Sequence, residues 1–403
     1  MKKSSILLFF VFLILSCAKV DEIEGPIINE GTLEEVTIPA TDLIIGSKNA
    51  YVYLPPGYSQ SDTTHKYPVV YLLHGFGGTY RFWQDVEDIK EIADYLISTG
   101  EIEPMIIVLP DGYNALGGSF YTNSSYMDSS VFGLYEDYIV NDVVGYIDSH
   151  YNTDTTKRAI DGISMGGFGA FKIAFKHSDI FKSTSSHSGP VAFEVFLAED
   201  PYTGYTIIDL IHFENPVIDT VTGDTVGYQI PYPPVLGPER PLTTMMFAMA
   251  GAFSPKVGVF ENFNVSDYEF PLDTVPGTGG DKWAGVILPF SPDGNIKEDI
   301  FSQWLQHDPL SLAETNSQDI IGNGLNIFFD CGNEDEYSLQ YQAEALAVKL
   351  TELGIPFEYE IFDGTLYPGA PGFPGSFPAK HGTHLYLRIK ESLVFHSQVF
   401  RES

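Results

Sequence analysis

A serine between two glycines is the first feature of this sequence that could do chemistry. The pattern Gly-x-Ser-x-Gly runs from Gly162 to Gly166 and places Ser164 at its centre. Such a serine acts as a nucleophile when it lies on a sharp turn from a strand to a helix, where flanking side chains would clash. Because the chain contains 38 glycines, the pattern also arises by chance, and its surroundings must support the assignment.

A serine hydroxyl needs a base, and the base needs a carboxylate that orients it. Two histidines, His381 and His384, follow the last predicted strand, whereas His396 lies well inside a predicted helix and is interpreted as structural. The candidate carboxylates follow the strand before: Asp330, Glu334, Asp335 and Glu336. Asp330 is expected to lie within that strand, which favours the other three. Spacing alone leaves both the histidine and the carboxylate open.

A second glycine-rich segment, LLHGFGG from Leu72 to Gly78, follows a predicted buried strand. Small residues there let backbone N–H groups approach a developing oxyanion, and each such donor contributes about 2.7–4 kcal/mol in the transition state. The second donor at such sites is the N–H of the residue after the nucleophile, here Met165. The sequence therefore predicts an oxyanion hole built from this loop and Met165.

Strand and helix patterns alternate around these segments. Continuous apolar runs, typical of central parallel strands buried on both faces, cover residues 67–75 and 104–112. Helical spacing is predicted over 80–100, 134–150 and 168–177, and strands over 158–162, 181–189, 325–331 and 356–364, with further helices over 339–354 and from 385 onward. This order predicts an α/β fold with a mostly parallel sheet flanked by helices.

The alternation breaks from about Pro190 to Gln318. This segment is rich in proline, glycine and aromatic residues and contains a predicted hairpin turn around Thr222–Asp224. We interpret it as an insertion over the sheet, a lid or a substrate-binding cap. Together with GGSFYTNSSY at 117–126, its aromatic residues predict either a sugar or aryl platform or a packed lid.

The N-terminus has the pattern of an export signal. Two lysines precede an apolar run over 6–15, and Ser16 and Cys17 follow. The segment ILSC resembles the lipobox of a bacterial lipoprotein, in which the cysteine is acylated. A plain secretory signal cut near Ala18 is the alternative. In either case we expect an exported protein, and with the lipobox one anchored to a bacterial membrane on its periplasmic or cell-surface side.

These features divide the chain into three parts. We predict a signal peptide over 1–17, a polar tether over 18–32 and an α/β domain over 33–403 that contains the insertion. The only other cysteine is Cys331. With Cys17 acylated, no disulfide is expected, and two cysteines do not form a cysteine-rich metal site. No metal and no cofactor are predicted.

Composition restricts the class of partner. The 403 residues include 21 basic and 54 acidic side chains, a formal net charge of -33, which repels nucleic acid and anionic surfaces. With 44% hydrophobic residues the chain can bury a large core. The acidity is interpreted as a solvated surface, and a nucleic-acid partner is not expected.

Several motifs together resemble the "putative esterase" family of α/β hydrolases, which includes feruloyl and acetylxylan esterases, S-formylglutathione hydrolase and the mycolyltransferases. They occur in family order at Val52–Tyr58, Lys66–Gly78, Ile106–Gly112, Ala159–Ala170, 330–337 and 381–393. The resemblance implies an α/β-hydrolase fold. The insertion and the proline- and glycine-rich loop before His384 depart from the family pattern.

The resemblance also implies roles for particular residues. In the family the base is the histidine of a Gly-x-His segment that opens the last helix, which corresponds to His384. The acid is the last carboxylate of a CGxxD turn, here Asp335, and the nucleophile is Ser164. The oxyanion donors are the backbone N–H groups of Phe76 and Met165.

The implied function is a serine ester hydrolase that works through an acyl-enzyme and needs no cofactor. Export argues against a cytoplasmic formylglutathione role and favours feruloyl or acetyl esters on polysaccharides, with a small-molecule ester as the other substrate class. Two alternatives remain: an acyltransferase of the same fold, and a noncatalytic carbohydrate-binding surface lipoprotein.

Overall fold

The computed structural model describes residues 30–41, 43–124, 133–201, 203–231, 233–259, 269–274, 279, 282–291, 293–366 and 378–403. The predicted signal peptide, Cys17 and most of the predicted tether lie outside the described residues. Within the described ranges, no helix combines the length and apolar character needed to cross a membrane.

The strands of the described chain form one large and two small sheets. In chain order they are β1 (Thr32–Pro39), β2 (Ser47–Leu54), β3 (Tyr67–Leu73), β4 (Ile106–Pro110), β5 (Thr153–Gly162), β6 (Ser183–His187), β7 (Pro216–Ile218), β8 (Thr225–Tyr228), β9 (Pro255–Val259), β10 (Glu269–Thr274), β11 (Lys282–Ile287), β12 (Asn326–Gly332) and β13 (Glu358–Phe362).

The large sheet has eight described strands in the order β1-β2-β4-β3-β5-β6-β12-β13. β1 and β2 are antiparallel to their neighbours, and all pairs from β4 to β13 are parallel. Every residue of β3, β4 and β6 is buried. The continuous apolar runs of β3 and β4 fit this position because helices cover both faces of a parallel sheet.

Helices flank this sheet and also build the insertion. In chain order they are α1 (Phe82–Asp85), α2 (Ile89–Thr99), α3 (Tyr135–Asp137), α4 (Val144–His150), α5 (Met165–Lys176), α6 (Phe193–Phe196), α7 (Ile207–Glu214), α8 (Pro241–Phe253), α9 (Glu298–Leu305), α10 (Pro309–Thr315), α11 (Ser317–Asn323), α12 (Leu339–Leu353) and α13 (Leu385–Glu402). The predicted α/β architecture is confirmed.

Two predicted helices are interrupted. The segment expected to be helical over 80–100 breaks between α1 and α2, where Asp88 has a left-handed backbone with φ 51°. The helix expected over 134–150 contains a π-helical turn, Tyr138–Val143, between α3 and α4. Neither interruption has a proline signal in the sequence.

The chain leaves the large sheet after β6 and returns at β12. Between them, β10, β11 and β9 form a small antiparallel sheet, and β7 pairs with β8 in the predicted hairpin. The long helix α8 packs against β9 and β11, and the Phe247 ring packs edge-on against Phe270 with 4.9 Å between ring centroids. The buried apolar residues of the insertion join the same core cluster as those of the large sheet.

Candidate active site

Ser164 occupies the sharp turn between β5 and α5. Its backbone has φ 56° and ψ −119°, a conformation that residues other than glycine rarely adopt. The Ser164 N–H donates a hydrogen bond to the His187 carbonyl at 2.8 Å, which ties the turn to the end of β6. This strained, fixed turn presents the hydroxyl at the carboxyl edge of the sheet, as the glycine pattern predicts.

The two glycines of the motif are needed for close packing. A Cβ on Gly162 would lie 2.4 Å from the backbone carbon of Gly166, and a Cβ on Gly166 would lie 2.3 Å from the Leu73 carbonyl oxygen. Both distances are far below van der Waals contact. The motif is therefore a steric requirement of this turn and not a chance run of small residues.

His381 lies between Ser164 and a buried carboxylate. Its Nε2 is 2.8 Å from the Ser164 Oγ, and its Nδ1 is 2.9 Å from Asp335 Oδ2. The other oxygen of Asp335 accepts a hydrogen bond from the Tyr337 N–H at 2.9 Å. These contacts form the serine, histidine and carboxylate arrangement from which a hydroxyl can lose its proton.

The structure corrects the prediction that His384 is the base. His384 is buried at the N-cap of α13 with a left-handed backbone of φ 57°, and its ring lies near Phe362 at 5.7 Å between centroids. The hydrogen bonds to Ser164 and Asp335 come from His381 instead. The Gly-x-His register that pointed to His384 does not hold here.

The physical reason lies in how the chain approaches α13. A Cβ on Gly332 would lie 2.4 Å from the Ala379 carbonyl oxygen, so the bare glycine at the end of β12 lets this segment approach closely. The Ala379 N–H also donates to the Asn333 side chain at 2.9 Å. Because the chain is fixed at Ala379, His381 follows beside Asp335, and His384 lies three residues further on, where the helix begins.

Further contacts orient His381. Its N–H donates to Glu336 at 2.9 Å, its carbonyl accepts from Arg388 at 3.3 Å, and the Tyr337 ring packs edge-on against it at 4.8 Å between centroids. Neighbouring residues thus hold both the backbone and the imidazole ring of His381.

The electrostatics of the Asp335–His381 pair favour an ionised carboxylate and a protonated imidazole. Burial opposes ionisation of Asp335, but His381, the Tyr337 N–H and Arg388 outweigh it, so the pKa of the carboxyl lies below its usual value. Burial lowers the pKa of His381, but Asp335 more than offsets it, and the pKa of the imidazole lies above its usual value. Asp335 therefore stabilises the imidazolium that forms when the hydroxyl is deprotonated.

Phe76 and Met165 lie where the predicted oxyanion donors should be. Both line the same cavity as Ser164 and His381. Among the residues that the structure describes, neither backbone N–H donates to another backbone group. A Cβ on Gly75 would be 3.5 Å from the Ser164 Cβ, which shows how closely this loop approaches the nucleophile. The role of these N–H groups remains a prediction.

The loop that carries Phe76 is fixed by His74. The Gly112 N–H donates to His74 Nε2 at 2.9 Å, so the proton resides on Nδ1, which donates to the Gly75 carbonyl at 2.8 Å. The Tyr121 hydroxyl donates to the His74 carbonyl at 3.1 Å. These bonds hold the loop in one conformation beside Ser164.

Beneath the site lies a buried charged cluster that the sequence did not identify as functional. Arg388 donates to Asp330 at 2.7 Å through Nε, and His187 Nδ1 is 2.7 Å from the other oxygen of Asp330. His187 Nε2 is 3.4 Å from Asp161. All four side chains are fully buried. The signal in the sequence was the presence of Asp161, His187 and Asp330 on strands in the centre of the sheet, whereas Arg388 lies on α13.

This cluster, Asp161, His187, Asp330 and Arg388, connects three segments of the site. Asp161 precedes the nucleophile turn, Asp330 lies within the strand before the acid turn, and Arg388 contacts the His381 carbonyl. Burial lowers the pKa of His187, but Asp330 and Asp161 outweigh it and raise the pKa to about 9. With His187 protonated, two carboxylates face two cations and the cluster is neutral.

An apolar cavity of about 90 Å³ opens beside Ser164. One wall is Phe120, whose ring packs against Phe76, Phe168 and Phe253 with centroids 5.7–6.2 Å apart. Phe120 is buried in this wall, and neighbouring Tyr121 is fully buried. The described part of the 117–126 stretch is therefore a packed wall, which favours the packed-lid alternative for this stretch over an exposed platform.

The fold resembles those of several solved structures. A ferulic acid esterase superposes with a TM-score of 0.53 at 17% identity, covering 92% of this chain and 99% of that chain. An S-formylglutathione hydrolase from Agrobacterium tumefaciens superposes with a TM-score of 0.52 at 16% identity, covering 92% and 95%. At these identities the likeness concerns the fold alone. Together with the parallel sheet, it defines an α/β-hydrolase fold, as the sequence predicts.

The family model described as "Putative esterase" matches residues 46–381. The chain belongs to this family. The match ends at His381, and His384 lies beyond it. The esterase Rv1288 of Mycobacterium tuberculosis is 39% identical over 145 residues, which are 35% of this chain and 29% of that protein.

A second relative is the endo-1,4-beta-xylanase/feruloyl esterase of Xylanibacter ruminicola. It is 28% identical over 193 residues, 47% of this chain and 26% of that protein. The chain thus spans less than a third of the length of either relative.

Proposed function

We propose that this protein is a serine ester hydrolase in which Ser164 is the nucleophile, His381 the base and Asp335 the orienting acid. The observation that carries the proposal is the chain of two hydrogen bonds, 2.8 Å from Ser164 to His381 and 2.9 Å from His381 to Asp335. Membership of an esterase family supports the same reaction class.

The reaction would proceed through an acyl-enzyme. Ser164 Oγ attacks the ester carbonyl while His381 Nε2 accepts its proton, and the backbone N–H groups of Phe76 and Met165 stabilise the oxyanion. Collapse of the tetrahedral intermediate expels the alcohol, which takes the proton from His381. Water then attacks the acyl-enzyme by the same route and releases the acid and the free serine.

We propose ester substituents of polysaccharides as the substrates, in the manner of a feruloyl or acetyl esterase. The support comes from relatives: the Xylanibacter ruminicola protein is named a xylanase/feruloyl esterase, and an Acetivibrio thermocellus relative, 33% identical over 138 residues, is named endo-1,4-beta-xylanase Y. That match covers 32% of this chain and 11% of the relative.

The test is Ser164→Ala against p-nitrophenyl acetate and a fluorophosphonate probe. We expect the variant to lose at least about 10³-fold in kcat/KM and all covalent labelling, because both need the hydroxyl. Circular dichroism checks that the variant folds. Retained turnover in a folded variant would show that another group carries the reaction.

We also propose export and lipid anchoring through Cys17, on the basis of the lysines, apolar run and ILSC segment at the N-terminus. Mass spectrometry of the mature protein from the native cell envelope should find an acylated cysteine as its first residue. An unmodified N-terminus near Ala18 would instead indicate a plain secretory signal.

A further inference from the structure

The cavity beside Ser164 is closed on one side by the insertion. Helix α8 contributes Pro241, Leu242, Met245 and Met249 to its lining, together with residues of the Phe76 loop and the nucleophile turn. α8 is held in place by packing against β9 and β11. The insertion therefore forms the roof of the space in which a substrate group attached to Ser164 must lie.

The cavity is small and apolar. Its volume is about 90 Å³, whereas an apolar cavity of roughly 150 Å³ takes up one benzene ring. Of the side chains that line the cavity in the described part of the chain, those with polar groups are Ser164, His381 and Tyr337. Tyr337 packs against His381, at the reacting end, so the ring hydroxyl at the far end of a hydroxycinnamoyl group would meet apolar side chains and lose its hydrogen bonds.

The acyl group is the part of the ester that fits such a space. During hydrolysis the acyl group stays bonded to Ser164 Oγ, while the alcohol leaves and water enters. A sugar chain is far larger than the cavity and must remain on its open side. The alcohol therefore occupies the mouth and the acyl group the apolar interior.

We propose that α8 forms the acyl pocket, that Met245 and Met249 set its depth, and that the substrates are esters of short aliphatic acids, from acetate to about butyrate. This inference rests on the proposed ester hydrolysis at Ser164. It selects the acetyl-like class over the feruloyl class that the relatives' names leave open.

The test compares p-nitrophenyl esters from acetate to octanoate, and methyl ferulate, in the wild-type protein and Met249→Ala. Because even one methylene that does not fit a hydrophobic pocket costs about 10-fold or more, wild-type kcat/KM should fall at least about 10-fold from butyrate to octanoate. Met249→Ala should raise the octanoate to acetate ratio at least about 10-fold. Met245→Ala is the second variant, and it should change the ratio in the same direction.

The matched control is Met246→Ala. Met246 is the next residue of α8, is 1% exposed, and packs in the core instead of lining the cavity. This change should lower stability and leave the ratio unaltered. An unchanged ratio in both pocket variants, or wild-type cleavage of methyl ferulate as efficient as that of the acetate ester, would overturn the acyl-pocket assignment.

Fluorophosphonate labelling separates this inference from the proposed function. Labelling at Ser164 with an unchanged chain-length ratio contradicts the acyl pocket alone. Absence of both labelling and turnover contradicts ester hydrolysis itself, and the acyl-pocket inference with it.

Discussion

His381 can accept a proton from Ser164 only when its imidazole is neutral. Asp335 lies 2.9 Å from Nδ1 and holds the pKa of the imidazole above its usual value despite burial. The same contact that strengthens the base therefore shifts its working range to higher pH.

We predict that kcat/KM falls on the acid side with an apparent pKa above about 6.5, the usual value for histidine. In Asp335→Asn the carboxylate that raises the pKa is gone, so the acid limb should move to lower pH. Activity at every pH should drop on the order of 10³- to 10⁴-fold. The measurement is a pH profile of ester hydrolysis for both proteins. An acid limb that does not move in Asp335→Asn would contradict the assigned pair.

The residues of the site differ in how far the sequence could locate them. Ser164 lies at a fixed offset from a strand end, so motif spacing identifies it. Spacing narrowed the acid only to a group of carboxylates after one strand, and the family resemblance selected Asp335 among them. The base depends on a tertiary contact, the close approach of Ala379 to Gly332, which no local pattern encodes. Spacing therefore left His381 and His384 open, and the family register selected the wrong one.

At the scale of elements, the spacing of apolar residues and the local composition predicted the strands around the site. The buried runs of β3 and β4 are apolar throughout, and Gly162 to Gly166 mark the turn into α5. The break at Asp88 was missed because no proline or glycine marks it.

Strand β6 is built from polar residues, STSSH, yet it is fully buried. Two of its serines have a buried partner, since His396 forms hydrogen bonds with Ser183 and Ser185. Such pairing exists only in the folded chain.

The insertion shows the limit at this scale most clearly. Its hairpin between β7 and β8 was predictable from turn residues, but the position of α8 over Ser164 was not, since it depends on packing against β9 and β11. The part of the chain with the weakest sequence signal therefore contributes the roof of the cavity.

At the scale of the whole molecule, stability depends on charges buried at the centre of the sheet. The folded protein holds the His187 proton between Asp330 and Asp161, and its pKa is raised to about 9 from about 6.5 in an unfolded chain. The stability that this proton contributes is complete below about pH 6.5 and is lost as pH rises through about 9.

We predict that the free energy of unfolding falls by up to about 3 kcal/mol between pH 7 and pH 9.5, since each pKa unit corresponds to about 1.4 kcal/mol. Urea denaturation at a series of pH values measures it. His187→Asn should be less stable at pH 7 and should lose most of this pH dependence. Equal slopes in the two proteins would show that His187 does not hold the proton.

The central claim is that His381, and not His384, serves Ser164. Asparagine tolerates the left-handed backbone found at His384, so His381→Asn and His384→Asn form a matched pair. With p-nitrophenyl acetate, kcat/KM should fall about 10⁴-fold or more in His381→Asn and stay within about 10-fold of wild type in His384→Asn. Loss of activity in folded His384→Asn, with His381→Asn still active, would contradict the account.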